Sequence, residues 1–249
     1  MCGSVRLLGL DFTDMGTESV AALMAARSAT APFTYVVTPN ADHLVRLHRR
    51  PELRPLYEHA EMRLLDSRVV ALLARLVGVR TPRVAPGSDL TEALLRQHLG
   101  AHERVTIVGL AAKWLKMLVA NCGIAPPAHY DPPRGFERSP EAMKAAVDFV
   151  LTHPARFIFL AVGSPRQEML ADAIRKTGSA TGVGLCVGAS LEFLAGAQRR
   201  APSWMQRCDL EWLYRLARDP VRMAHRYLVD SPAVIPMLLR ERLSAFDSR

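Results

Sequence analysis

The chain has 249 residues, 49% of them hydrophobic, 22% charged and 6% aromatic, with a formal net charge of +8. That length and apolar content exclude a disordered chain and supply the core of one large α/β domain, with or without a short appendage. The positive balance points to phosphate-bearing partners (nucleic acid, anionic head groups or pyrophosphate substrates), while so few aromatics argue against a stacking surface for single-stranded nucleic acid.

In chain order, Val5–Leu10 predicts a short strand and Glu18–Ala29 an alanine-rich helix. A strand over Tyr35–Thr38 runs into Pro39-Asn40. Helices come next at Ala41–Arg49 and Glu52–His59, the second preceded by Pro51, a natural first-turn residue. Met62–Leu65 predicts a strand that stops at Asp66, then Val69–Val77 an apolar helix closed by Gly78. Ser88 is the expected cap of a helix over Leu90–Leu99. The pattern resumes with a strand at Val105–Val108 and helices at Ala111–Asn121 and Glu141–Leu151. Phe157–Val162 is a strongly apolar strand, Arg166–Lys176 a helix, and Gly182–Val187 a last strand. Strands alternating with helices predict an α/β fold: a Rossmann-like, mostly parallel sheet with helices on both faces.

Beyond Gly196 the composition changes. Residues 199–226 hold seven Arg, no Lys and three acids. Helices are expected at Asp209–Arg218 and Pro220–Val229, with Ser231-Pro232 and Pro236 breaking up the C-terminal residues. The domain expectation is a core over 1–196 and a helical, Arg-rich C-terminal appendage over 197–249. No signal peptide and no apolar run of about 18 residues is expected to cross a membrane. Four scattered cysteines, with no CxxC pair, and eight histidines without ligand spacing predict free thiols and no metal site.

In open parallel sheets, ligands bind beyond the carboxyl ends of the strands. Four such ends carry polar or glycine-rich turns: Thr38-Pro39-Asn40, Asp66-Ser67-Arg68, Gly163-Ser164-Pro165-Arg166-Gln167-Glu168 and Gly188-Ala189-Ser190. Asp66 fits either the cap of the next helix or a general base at the mouth of a cleft. Gly163–Glu168 fits either a tight strand-to-helix turn or a backbone site that offers helix N–H groups to phosphate. The paired arginines Arg215/Arg218 and Arg222/Arg226 fit either a solvated basic face or bidentate phosphate contacts.

Together these stretches resemble the WecG/TagA/CpsF family of bacterial glycosyltransferases. The resemblance rests on TPNADHL (Thr38–Leu44), LLDS (Leu64–Ser67), RVAPGSDL (Arg83–Leu90), FLAVGSPRQE (Phe159–Glu168), GVGLCVGASLEFLAG (Gly182–Gly196), RRAPSWMQR (Arg199–Arg207) and LEWLYRLARDPVRMAHRYL (Leu210–Leu228). It implies an inverting, metal-independent transfer that uses no cofactor. The implied donor is a UDP-sugar, often an N-acetylhexosamine such as ManNAc. The implied acceptor is a polyprenyl-pyrophosphate-linked sugar of cell-surface or exopolysaccharide synthesis, met at the inner face of the cytoplasmic membrane.

By motif position, the resemblance puts the base on Asp66 and donor contacts on Thr38, Asn40, Arg83 and Gln167. Gly163, Pro165 and Glu168 of the same turn, and Glu192 where Asp is usual, join the donor set. Arg200, Arg215, Arg222 and Arg226 are assigned to the acceptor pyrophosphate. The chain departs from the family at Asp66-Ser67, where Asp-Gly is usual, and at Gly109-Leu110, where a second Gly is usual. His129–Phe136, HYDPPRGF, resembles a branch among exopolysaccharide enzymes.

Two competing readings are weaker. A nucleotide-sugar epimerase or dehydrogenase needs a dinucleotide glycine fingerprint, which Leu8-Gly9-Leu10-Asp11 does not supply. A basic membrane- or nucleic-acid-binding adaptor explains the charge but not four polar strand ends. The expected partners are therefore a UDP-sugar, the lipid-linked acceptor and a membrane surface, not nucleic acid. Homo-oligomer formation stays open, because Val234–Leu239 offers an apolar face to the core, a second subunit or lipid.

Overall fold

A computed structural model describes residues 3–100, 102–197, 205, 214 and 231–247. A hairpin opens it: β1 (Ser4–Leu7) pairs antiparallel with β2 (Leu10–Thr13). Six further strands form one parallel sheet: β3 (Thr34–Val37), β4 (Met62–Arg63), β5 (Thr106–Gly109), β6 (Ala128–Tyr130), β7 (Phe157–Ala161) and β8 (Val183–Cys186). Their spatial order is β4-β3-β8-β7-β5-β6, every pair parallel.

Successive strand side chains point to opposite faces, so an all-apolar strand feeds two cores at once. In β3, Tyr35 and Val37 enter one core and Val36 the other. In β7, Ile158 and Leu160 join the first while Phe157 and Phe159 join the second. The first core is closed by α2 (Ala41–Arg49), α3 (Pro55–Glu58), α4 (Arg68–Leu76), α7 (Pro140–Thr152) and α8 (Arg166–Lys176). The second is closed by α1 (Thr17–Ala25), α5 (Gly87–Ala93), α6 (Ala112–Cys122) and α9 (Ser190–Leu194). Tyr35, Tyr57, Phe157 and Phe159 are fully or almost fully buried, each contributing about 1.5–3 kcal/mol on area grounds. The expected Rossmann-like sheet with helices on both faces is observed.

Several element bounds differ from expectation. Val5–Leu10 is not one strand but the first half of the hairpin, whose turn residues Leu8 and Gly9 both take positive φ (50° and 77°). The Glu52–His59 helix is split, since Pro55 opens α3 after a 3₁₀ turn at Pro51–Leu53. Ser88 is not a cap: α5 starts at Gly87, its N-cap position is Pro86, and a π-helical turn Leu94–His98 continues it. β6 adds a strand beyond those the sequence pattern predicts.

Local rules also lead one to expect that prolines break the chain near its end. Instead Ser231–Asp247 is one helix with Pro236 inside. Proline forfeits one backbone bond there. Packing outweighs that loss: Val234 and Leu238, one turn apart, are both fully buried in the first core. The Glu241 carboxylate accepts from the Leu8 N–H at 2.9 and 3.1 Å, and Arg242 donates to the Val77 carbonyl. This helix thus packs on α2 and α4. No helix among the described residues is long and apolar enough to cross a membrane.

Candidate active site

The carboxyl ends of β3, β4, β7 and β8 bring the motif turns together. Thr38, just past β3, donates its hydroxyl to the Cys186 carbonyl at the end of β8 (3.2 Å). The Asp66 N–H donates to the Pro39 carbonyl at 3.0 Å, tying the turn after β4 to the turn after β3. Leu65 bridges Val84 in parallel, and the Ala85 N–H donates to the Leu65 carbonyl, which draws the segment from Arg83 to Gly87 to the same edge. A Cβ at Gly87 would lie 2.8 Å from the Thr38 hydroxyl, so only glycine allows this approach. The Gly188 N–H donates to Gln167 Oε1 at 2.9 Å, linking the turns after β7 and β8. The fold therefore places Thr38, Asn40, Asp66, Gly163, Pro165, Gln167 and Glu192 on or behind one edge.

Local geometry sorts the ambiguous residues. The N-cap position of the helix after β4 is Ser67, whose hydroxyl accepts from the Val70 N–H at 3.2 Å, with Asp66 one residue before it. Ser67 is extended (φ −158°), a shape that needs no glycine. Asn40 does cap: its Oδ1 accepts from the Asp42 and His43 N–H groups at 3.1 and 3.4 Å. Arg83 is exposed, with its backbone N–H donating to Asp14 Oδ1. Glu192 is half-buried in the first turn of α9.

Gln167 and Glu168 lie deeper than a ligand contact requires. They are 2% and 0% exposed. Gln167 Nε2 donates to Glu168 Oε1 at 2.9 Å while Gln167 Oε1 holds the Gly188 amide, so both ends of the side chain are committed. Beside them runs a polar cluster in which Arg46 and Tyr57, both outside the sequence motifs, join Asp42, His43 and Ser164 from within them. Arg46 donates to Ser164 Oγ (2.9 Å) and pairs with Asp42. The Tyr57 hydroxyl lies 3.3 Å from Ser164 Oγ and 3.4 Å from His43 Nδ1. Burial first, then the Glu168 carboxyl, pushes the Tyr57 phenol upward. The signal available for this cluster was the register of α2: His43 and Arg46, three apart, share a helix face.

The end of β5 completes the edge. Gly109 (φ 93°) and Leu110 (φ 65°) both adopt left-handed backbone. His129 Nε2 lies 3.0 and 2.8 Å from the Gly109 and Leu110 carbonyls, a placement that suits a donating Nε2–H. Arg200, Arg215, Arg222 and Arg226 lie outside the described residues. Among the described residues, no three His, Cys, Asp or Glu side chains are grouped to hold a metal ion.

The chain matches the family model described as "Glycosyl transferase WecG/TagA/CpsF family" over residues 5–248.

Proposed function

The chain belongs to the WecG/TagA/CpsF family of glycosyl transferases, and from that membership we propose an inverting, metal-independent transfer from a UDP-sugar to a polyprenyl-pyrophosphate-linked sugar. The transferred sugar is an N-acetylhexosamine such as ManNAc, or a related hexose, built into exopolysaccharide or another cell-surface polysaccharide. The observation that carries this reading is Asp66: a carboxylate at the sheet's ligand-binding edge whose neighbour Ser67, not itself, caps α4.

In this reading Asp66 takes the proton from the acceptor hydroxyl. That oxygen forms a bond to the anomeric carbon as the carbon–oxygen bond to UDP breaks on the opposite side. The leaving diphosphate is met by backbone N–H groups of the Gly163–Gln167 turn and by arginines of the appendage, Arg200, Arg215, Arg222 and Arg226. Thr38, Asn40, Arg83 and Glu192 shape the donor pocket. The proposed division is a core over 1–196 and an appendage over 197–249. UDP release from a panel of UDP-sugars tests this, with dispersed polyprenyl-pyrophosphate-sugar as acceptor and with chelator present. Acceptor-dependent release that survives the chelator is expected; no release with any donor overturns the reading in favour of an adaptor.

Asn40 separates structure from ligand contact. Asn40→Ser keeps an equivalent cap, so stability should hold to within about 0.5 kcal/mol. The side-chain amide is lost, and the donor KM should rise about tenfold, the worth of one hydrogen bond. An unchanged KM confines Asn40 to the cap.

The proposal places the protein on the inner face of the cytoplasmic membrane, as a peripheral enzyme. Support comes from side chains that α4 and the last helix leave outward: Leu72, Leu76, Leu239 and Leu243 are 56%, 73%, 45% and 64% exposed. Arg68, Arg75 and Arg240 are exposed on the same two helices. Leucines beside arginines suit an anionic lipid surface. Replacing all four leucines by serine should lower partitioning onto phosphatidylglycerol vesicles by about tenfold or more in a sedimentation assay. Equal partitioning would remove this surface from the membrane contact.

A further inference from the structure

Glu168 is buried completely beneath the strand-end turns, at 0% exposure. Its Oε1 accepts from Gln167, while Oε2 has no hydrogen-bond partner among the described residues. A buried carboxylate with an unpartnered oxygen is far more costly than a buried neutral acid with an unpartnered hydroxyl. The surroundings do little to balance a charge. Tyr57 from α3, Tyr35 from β3 and Cys186 from β8 lie close enough to feel its charge, Ser164 offers only a neutral hydroxyl, and none of these is a cation. Arg46 from α2 is a cation, but it is already engaged by Asp42 and by Ser164 Oγ. The His43 ring stands edge-on to Tyr57, its Nδ1 3.4 Å from the Tyr57 hydroxyl. Burial accordingly pushes the Glu168 carboxyl up, against the pull of the Gln167 amide, its own backbone N–H, the Ser164 hydroxyl and Arg46.

We propose that Glu168 is a positioning residue held as the neutral acid: it fixes the Gln167 amide, and Gln167 in turn fixes the Gly188 N–H and the turn between β8 and α9. The chain of contacts is short and directional. Glu168 Oε1 accepts from Gln167 Nε2, which orients the amide so that Oε1 of Gln167 faces Gly188. Reversing the amide would set two donors against each other at Gly188. Gly188 takes a left-handed φ of 54°, and its turn leads into α9, which carries Glu192. Glu168 thus shapes the donor cleft from behind without touching a ligand.

The raised acid also gives the pH dependence its sign. An acid whose folded pKa is raised favours the ordered state below that pKa and opposes it as pH rises through it. Ionisation need not break the bond to Gln167, but it draws water to a closed site, which opens the turn.

The Gly188 turn can be monitored without a ligand. Amide hydrogen exchange at Gly188 would be measured by NMR in the full chain, comparing wild type, Glu168→Ala and Glu168→Gln over a series of rising pH, corrected for intrinsic exchange. Glu168→Ala should speed exchange about tenfold, the loss of one hydrogen bond's restraint, and Glu168→Gln should restore protection because its amide oxygen still accepts from Gln167. Wild type should lose protection as pH rises through the raised pKa, and Glu168→Gln should not. Exchange within twofold of wild type in Glu168→Ala, or the same pH response in Glu168→Gln, overturns the proposal. Should Glu168→Ala not fold, the pH comparison of the other two chains decides. The donor KM supplies a second readout: it should rise in Glu168→Ala with a smaller change in kcat, and recover in Glu168→Gln. Only this second readout rests on the transferase reading; if no chain turns over a UDP-sugar while the exchange pattern holds, that reading falls and the positioning role stands.

Discussion

Asp66→Asn should lower turnover by about 10²–10⁴-fold, the usual contribution of a general base, while UDP binds as in wild type. The expected separation comes from where Asp66 sits. Its backbone is pinned by the N–H bond to Pro39 at 3.0 Å, and the next residue carries the cap of α4. Asparagine keeps the size of the side chain, so neither the pinning nor the cap should move. What it lacks is a basic oxygen able to take the acceptor's proton. The loss corresponds to about 3–5 kcal/mol of transition-state stabilisation. Single-turnover rates with lipid-linked acceptor, set beside calorimetric UDP binding, measure both halves. A fully active variant removes Asp66 as the base; a variant that no longer binds UDP makes it a donor-pocket residue instead.

Much of the candidate site's framework was legible because local signals fix its elements. Asn40 before a helical pattern defines the start of α2, and Ala41–Arg49 is the observed helix. Gly163-Ser164-Pro165 after an apolar run marks the start of α8 equally well, and Arg166–Lys176 is the observed helix. Strand ends that carry polar turns must meet at one edge once the sheet is parallel, so the grouping of Thr38, Asp66 and the Gly163 turn came from the fold class alone.

What was not legible depends on partners distant in sequence. Leu8 is apolar and extends a β pattern, yet it takes a left-handed backbone whose N–H is bonded by Glu241. Nothing within a few residues of Leu8 announces that partner. Pro236 obeys its local rule only until Val234 and Leu238 are both buried. β6 spans three half-buried residues between prolines, too short to show a period. The burial of Glu168 is of the same kind: a glutamate in the first turn of a helix is ordinarily a solvated charge near the positive end of the dipole. Here the packing of α3 and β8 against α8 leaves the residue fully buried, deeper than the ligand contact expected of it.

Gly109 is where the fold's tolerance is lowest at the candidate site's edge, and Gly109→Ala should destabilise the protein by about 2–5 kcal/mol. Two costs add. The residue holds φ at 93°, and leaving glycine in left-handed backbone costs about 1–2 kcal/mol. A Cβ would also fall 2.7 Å from both the carbonyl carbon and the carbonyl oxygen of Ala161 and 2.9 Å from Val162 Cγ1. Backbone of a central strand cannot step aside as a side chain can, so overpacking adds about 1–3 kcal/mol. Leu110 already spends part of the local tolerance, being a buried leucine at φ 65°. With β5 hydrogen-bonded to β6 and β7, the strain has no edge at which to dissipate. For a domain of this size the melting temperature should fall by about 10 °C. The displaced neighbours, Ala161 and Val162, lead directly into Gly163, so the donor KM should rise even at temperatures where the variant is folded. A melting temperature within about 2 °C of wild type would mean that β5 and β7 do not approach as closely as 2.7 Å implies. A cooler melt with an unchanged KM would instead confine the strain to β5 and leave the Gly163 turn independent of it.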